Sequence, residues 1–297
     1  MDKNIVVCAL ARDCEQSLKK NIPKVEYLRS LFGLSSVIVV ENDSVDGTKD
    51  ILLEWKNTCE GVILLSEDYN TLTIPPRDVD NPFPGTSLHR IEKMSFYRNI
   101  YMDHLSKIPF DIDYVIMIDI DIIEFSPNAI YDAISNCPAK NWGALFANGY
   151  TDFKLLNLQL NKVYHDMYAY LAQWKPKFPQ TTNREMFLEK KTLFERLNKT
   201  SYFSVTSAFG GIGIYRYDLI KKLRYRAVKN QDRYIEALCE HVLFNKSIQD
   251  QGYQNYIVGK LQVYYGSTPF LIFLRRILPL GMFKLLCLVF TFRKLKE

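Results

Sequence analysis

The chain contains no Cys-x-x-Cys pair, and its six cysteines, Cys8, Cys14, Cys59, Cys137, Cys239 and Cys287, stand singly with no paired spacing. That pattern excludes a zinc knuckle and a disulfide framework, and it predicts free thiols in a reducing compartment. A glycine-rich loop carrying Lys-Ser or Lys-Thr is also missing. Ser207-Ala-Phe-Gly210-Gly211-Ile-Gly213 has the glycines without the lysine, so a phosphate loop or a dinucleotide fingerprint is a poor reading. Its glycines instead predict close approach of backbone to a ligand ahead of a short strand. Met1-Asp2-Lys3 runs straight into an apolar stretch ending at Leu10, which is too short and wrongly flanked for a secretory signal; a cytoplasmic location is expected.

A basic excess is missing from most of the chain as well. The net charge is +5, and Arg275, Arg276, Lys284, Arg293, Lys294 and Lys296 against Glu297 account for all of it, which leaves 32 basic and 32 acidic residues in the first 274. A nucleic-acid binder carries its basic face through its body, so no nucleic-acid partner is expected. The longest charge-free apolar stretch of the tail, residues 285–292, falls far below the roughly 18–20 residues of a spanning helix. An amphipathic helical tail over residues 266–297 would lie in the plane of an anionic membrane surface, peripheral on its inner face. A last helix packed on the core shares this composition.

What the chain does have is 297 residues, 47% of them hydrophobic, enough for one large α/β domain over residues 1–265. Strands are expected at 4–10, 36–41, 61–66, 114–118 and 143–149. They alternate with helices at about 15–32, around Ile51, Leu52 and Trp55, from His89 to Leu105, and at about 127–136. This order predicts a mostly parallel sheet flanked by helices. Residues 67–88, with Pro75, Pro76, Pro82, Pro84 and Gly85, read as a long loop or lid, and residues 150–200 as less regular.

The organising stretch is Tyr114-Val-Ile-Met-Ile118 followed by Asp119-Ile120-Asp121. An apolar run of this kind reads as a buried parallel strand, and ligands of open α/β sheets sit beyond the carboxyl ends of such strands. Alternate residues of an extended segment point the same way, so Asp119 and Asp121 would face one cation together; a solvated strand end is the other reading. Hard ions such as Mn²⁺ or Mg²⁺ take these oxygens and keep positions open for a diphosphate. On the expected helix from His89, Arg90, Met94, Tyr97 and Arg98 share one face, which would place two guanidinium groups along a cleft. Glu41-Asn-Asp43-Ser44-Val-Asp46-Gly47 after the second strand can bond a ribose or simply cap the next helix. Glu240-His241, expected near a helix start, pairs a carboxylate with an imidazole that could serve as general base and metal ligand.

In their order, these stretches resemble the GT-A class of nucleotide-sugar glycosyltransferases over about residues 4–260, both the family 2 type and the capsule-associated α-mannosyltransferase-like family. The motifs are Ala11-Arg12, Glu41 to Thr48, Tyr97-Arg98-Asn99, Asp119-Ile120-Asp121, the Ser207 to Gly213 loop and Glu240-His241. The resemblance implies a GT-A, Rossmann-like fold. It implies that Ala11, Arg12, Glu41, Asp43 and Asp46 meet the nucleotide and that Arg98 and Asn99 approach the diphosphate or donor sugar. Asp119-Ile120-Asp121 would hold the metal and donor, and Gly210 and Gly211 would border the donor and acceptor pocket. The class has an acidic pair before its last helix, and the second acid is here His241. Three possibilities follow: Glu240 as base, His241 as metal ligand, or a configuration-retaining enzyme that needs neither as base. The expected function is metal-dependent transfer of a sugar from a nucleoside diphosphate sugar to a lipid-linked or polysaccharide acceptor of a surface glycan. A nucleotidyltransferase and a non-catalytic carbohydrate-binding scaffold at the inner membrane surface are the rivals.

Overall fold

The computed structural model describes residues 1–78, 83–155, 158–173, 183–230 and 235–269, together with 274, 278, 281 and 282. Its first half is a run of strand–helix units: β1 (Ile5–Ala11), α1 (Glu15–Ser30), β2 (Ser35–Asn42), α2 (Thr48–Thr58), β3 (Val62–Glu67), α3 (Leu88–Leu105) and β4 (Tyr114–Asp119). These strands pair in parallel in the order β3-β2-β1-β4. Both faces of the sheet are covered, which explains why the strand sequences are apolar without alternation. On one face Val7, Ala9, Ile116 and Ile118 pack with Leu18, Val25 and Leu28 of α1 and with Leu52 and Trp55 of α2. On the other, Val6, Cys8, Val115 and Met117 pack with Tyr97, Tyr101 and Met102 of α3.

The second half adds β5 (Glu124–Phe125), α4 (Pro127–Ser135), β6 (Trp142–Leu155), β7 (Leu158–Tyr164), α5 (Asn183–Asn198), β8 (Tyr202–Val205), β9 (Ile212–Arg216) and α6 (Tyr217–Ile220). It ends in β10 (Val228–Lys229), β11 (Ala237–Leu238), α7 (Glu240–Gln249) and β12 (Gln254–Pro269). Among the described residues the main sheet has ten strands, on the path β3-β2-β1-β4-β9-β6-β12-β5, with β7 on β6 and β8 on β12. β9 runs antiparallel to both β4 and β6, and β12 runs parallel to β6. Six strands, β1 to β4 with β6 and β12, therefore share one direction, and the sheet is mostly parallel and flanked by helices, as expected.

One expectation changes, and two strands were not foreseen. The region 150–200, expected to be irregular, holds the β6–β7 hairpin and α5, because Trp142–Leu155 continues as one strand far beyond Gly149. β8 and β12 escape a helix–strand reading of the sequence; β12 is long and broken by register shifts, which blurs its period. The long loop at 67–88 is confirmed in part: residues 79–82 lie outside the described residues, and a short turn at Pro84–Thr86 leads into α3, whose first turn is capped by the Ser87 hydroxyl accepting from the Arg90 amide at 3.3 Å. The tail expected over 266–297 lies almost wholly outside the described residues, β12 running to Pro269. No helix among the described residues is long and apolar enough to cross a membrane.

Candidate active site

A cavity of about 620 Å³ opens beyond the carboxyl ends of β1, β2 and β4, where Ala11, Asn42 and Asp119 line it. Its floor is the turn that follows β4. Asp119 is the last strand residue, and the Ile122 amide donates back to the Asp119 carbonyl at 3.3 Å. The two carboxylates face the cavity because of this turn rather than through the alternation of an extended strand, and Ile120 between them is buried in the core below. α1 holds the turn from beneath. The buried Asn21 amide donates to the carbonyls of Ile120 and Ile122 at 2.9 and 2.7 Å, and the Ser17 hydroxyl to that of Asp121 at 3.2 Å. These bonds satisfy carbonyls that a turn leaves without sheet partners.

The walls come from three directions. Arg90, Met94, Tyr97 and Arg98 all line the cavity, so the helical face predicted for α3 is the one that faces it. Arg12 lines a second wall, donating to Thr71 and Thr73 at 3.3 and 3.2 Å and standing 3.9 Å from Asp43. Glu240 and His241 open α7 on the far side, beside Asp166, Tyr168 and Phe209.

Several predicted residues do other work. Asn99 lies one residue, or about 100° of helix, past Arg98, and turns from the cavity to clasp the Tyr225 backbone through both a donated and an accepted bond at 2.9 and 2.8 Å. Glu41 is buried and accepts from the Ser44 amide at 2.9 Å and from the Ser66 hydroxyl, which ties β2 to β3. Asp43 accepts from the Asn70 amide and from Asn42, the side chain that does line the cavity. Asp46 accepts from the amides of Thr48 and Glu15 at the starts of α2 and α1. Gly210 and Gly211 do not line the cavity. Both have positive φ, and a Cβ would lie 2.3 Å from the Ala147 carbonyl oxygen at the first and 2.6 Å from the Tyr265 hydroxyl at the second; the close approach they permit is to the protein's own strands.

Arg98 is the buried hub of the site. Its Nε donates to Glu240 at 3.1 Å, one terminal nitrogen donates to the Tyr101 hydroxyl at 3.2 Å, and the other faces Asp119 at 3.9 Å. The rings of Phe209 and Tyr225 cover it. A guanidinium so engaged is a fixed countercharge rather than a free diphosphate ligand. Burial works against the Glu240 carboxylate, and the charges beside it, His241 and Arg98, outweigh that and bring it down to about 2. Burial, with Arg98 beside it, brings His241 down to about 3, so the imidazole is neutral at physiological pH and Arg98 is the partner that acts on Glu240 there. The His241 ring is stacked on Phe209 at 4.1 Å, and neither buried nitrogen finds a hydrogen-bond partner among the described residues. Glu240 is thus a weak base already committed to a cation, and the pair supports Arg98 rather than offering a poised proton acceptor.

Asp119 and Asp121 are arranged differently from that pair. Burial, reinforced by Asp121 and opposed by Arg98, pushes the Asp119 carboxyl up to about 7; partial desolvation in the cavity also raises Asp121, although that residue is exposed at the surface. Two carboxylates that resist ionising side by side are short of positive charge, which a hard divalent ion supplies. The residues fit such an ion. Among the described residues no three His, Cys, Asp or Glu side chains converge, so His241 does not join the aspartates in one ligand set; Arg98 stands between them. An ion held by two carboxylates keeps coordination positions for phosphate oxygens.

Sequence reasoning missed Asn21, His165, Asp166, Tyr168 and Tyr265. Gly266 inside an otherwise strand-like stretch was the available signal for Tyr265, since a strand glycine marks a bulge or a close approach. His165-Asp166 repeats the imidazole–carboxylate pairing of Glu240-His241 and went unremarked.

No curated protein matches the chain. Among solved structures it is similar to the mannosyltransferase PcManGT from Pyrobaculum calidifontis in complex with GDP-Man and Mn²⁺ (12% identity, 89% of this chain and 57% of that one, TM-score 0.48). It is also similar to S. aureus TarS 1-349 (15%, 90% and 60%, TM-score 0.43) and to GalNAc-T7 with UDP, GalNAc and Mn²⁺ (12%, 90% and 44%, TM-score 0.48). The chain spans less than two thirds of the length of each of these proteins. The family model described as Cryptococcal mannosyltransferase 1 matches residues 4–247, from β1 into α7. The chain belongs to that mannosyltransferase family.

Proposed function

We propose that this protein is a metal-dependent glycosyltransferase that moves a sugar, a mannosyl unit by its family, from a nucleoside diphosphate sugar to an acceptor hydroxyl. The observation that carries the proposal is the pair Asp119 and Asp121, two carboxylates lining one cavity with arginines along its walls, the Asp119 carboxyl pushed up by burial. Asp119 and Asp121 would hold Mn²⁺ or Mg²⁺, which when bound neutralises the diphosphate as it departs. The chain's own residues prepare the place. Asn21 and Ser17 fix the turn, Arg98 balances Glu240 and faces Asp119, and Arg12 and Arg90 present positive charge to the phosphates from the open side. Charges set before the reaction stabilise the separating diphosphate without reorganising. Asn42, at the end of β2, is in place to bond the nucleoside.

The acceptor is read as a lipid-linked or polymeric glycan for a surface polysaccharide, on a protein peripheral to the inner face of a membrane. The apolar and basic composition of residues 269–297 supports that part. Titration calorimetry of nucleoside diphosphates with Mn²⁺ and with EDTA tests the function. Binding that needs Mn²⁺ and disappears in Asp121→Ala is expected, whereas equal binding in EDTA would refute it, and no binding would favour the non-catalytic scaffold.

A further inference from the structure

We propose that Tyr265 is a positioning residue of this site, delivered by a β-bulge to lock the carboxylate of Asp119 in the orientation in which it takes a cation. The inference rests on the proposed cation role of Asp119 and Asp121. β12 pairs with β6 in a register that slips between Tyr264 and Gly266: Tyr264 lies opposite Tyr150, Gly266 opposite Thr151, and Tyr265 is the extra residue between them. Gly266 has φ +118, a conformation that side-chain-bearing residues rarely adopt. A bulge of this kind bends the strand and re-aims one side chain, and bulges gather beside active sites.

Here the re-aimed side chain reaches the floor of the cavity. The Tyr265 hydroxyl donates to Asp119 Oδ2 at 2.8 Å, while Arg98 faces Oδ1 from the other side at 3.9 Å. One oxygen of Asp119 is therefore hydrogen-bonded and the other faces a fixed positive charge, which orients the carboxylate. Asp121 has no such support from another side chain among the described residues. The tyrosine is itself fixed in two ways. The His165 ring stacks on it at 3.9 Å with 22° between planes, and Gly211, at φ +92, leaves the space its hydroxyl occupies, since a Cβ there would lie 2.6 Å from that oxygen. One glycine thus permits the bulge, a second makes room for the hydroxyl, and an imidazole braces the ring. This is more machinery than the packing of one strand needs. Groups that orient a ligating carboxylate act on the ion through it, and their loss weakens metal binding without removing a ligand.

Mn²⁺ alone, followed by the electron paramagnetic resonance signal of the free ion, is the probe for the full chain and for Tyr265→Phe, His165→Ala and Asp121→Ala. Tyr265→Phe keeps the ring and loses the hydroxyl; it is expected to bind Mn²⁺ about tenfold or more weakly. His165→Ala keeps the hydroxyl and frees the ring, so a smaller loss is expected, and it serves the same purpose if Tyr265→Phe folds poorly. A purely structural tyrosine would lower the melting temperature in EDTA and leave Mn²⁺ affinity unmoved, which overturns the proposal. A larger loss in His165→Ala than in Tyr265→Phe also overturns it, because the role would belong to the imidazole. If Asp121→Ala binds Mn²⁺ as tightly as the parent, the cation reading itself fails, an outcome distinct from a failure at Tyr265 alone.

Discussion

Asp119→Asn is expected to stabilise the metal-free protein at alkaline pH while destroying its response to Mn²⁺. Burial, with Asp121 beside it, raises the folded-state carboxyl of Asp119 to about 7, against about 3.9 in an unfolded chain. A raised folded-state value means that the folded protein holds more protons than the unfolded one. The contribution of Asp119 to stability is complete below about pH 4 and is lost as pH rises through about 7. A difference of about 3 units corresponds to about 4 kcal/mol if fully expressed. The side chain is 30% exposed and faces the water of an open cavity, and solvent screening brings the expected cost nearer to about 2 kcal/mol. Asparagine carries no charge to desolvate, fills nearly the same volume and keeps an oxygen for the Tyr265 hydroxyl. In EDTA near pH 8 the variant should therefore melt about 4 °C above the parent. Near pH 4 the gain should vanish, because the parent carboxyl is then protonated as well. Differential scanning calorimetry across this range checks the sign, since titrations shared by both proteins cancel in the difference. A variant that melts at or below the parent temperature in EDTA near pH 8 would show that the charge of Asp119 is already compensated within the fold, and the argument for a missing cation would fail.

Glu240→Gln leaves the buried Arg98 without its countercharge and should cost about 3 kcal/mol in urea unfolding at neutral pH; a change below about 1 kcal/mol would contradict the hub assigned to that ion pair. In Asn21→Leu the carbonyls of Ile120 and Ile122 lose their donors, for an expected loss of about 2 to 4 kcal/mol. Mn²⁺ affinity should fall with it as the turn loosens, and an unchanged affinity would release that turn from its role. Asn99→Ala removes two bonds to Tyr225 and should lower stability by about 1 to 3 kcal/mol, with KM for the donor unchanged. A rise in KM without loss of stability would return Asn99 to the diphosphate.

The first half of the fold was legible because β1, β2 and β4 are apolar runs buried in the sheet and the helices between them follow turn residues such as Gly47 and Ser87, so period and punctuation agree. The floor of the site was legible for a related reason: an apolar strand that ends in Asp119 and Asp121 places its acids at the one edge where such a sheet binds ligands. β12 was not. It is sixteen residues long, broken by three register shifts, and paired with strands distant in sequence, none of which leaves a local period. The same holds for the residues that act through β12 and α1. Tyr265 and Asn21 matter because of where a bulge and a turn bring them, and a tyrosine or an asparagine carries no chemical flag in sequence. Asn99, Gly210 and Gly211 mislead in the opposite sense. They sit inside motifs, but Asn99 faces away round the helix, Gly210 packs against the Ala147 backbone and Gly211 makes room for the Tyr265 side chain. Glu240-His241 had the residue types of an acid–base pair, and only the structure reveals that Arg98 and two aromatic rings already engage it.

The central claim is that Asp119 and Asp121 hold a cation that lets a nucleoside diphosphate leave a sugar. Mass spectrometry of the full chain incubated with a panel of nucleoside diphosphate sugars, with Mn²⁺ or with EDTA and without an added acceptor, measures it most directly. The account predicts slow release of nucleoside diphosphate from one donor, transfer to water standing in for the acceptor, present with Mn²⁺ and lost both in EDTA and in Asp121→Ala. Release that proceeds equally in EDTA, or that survives intact in Asp121→Ala, would contradict it.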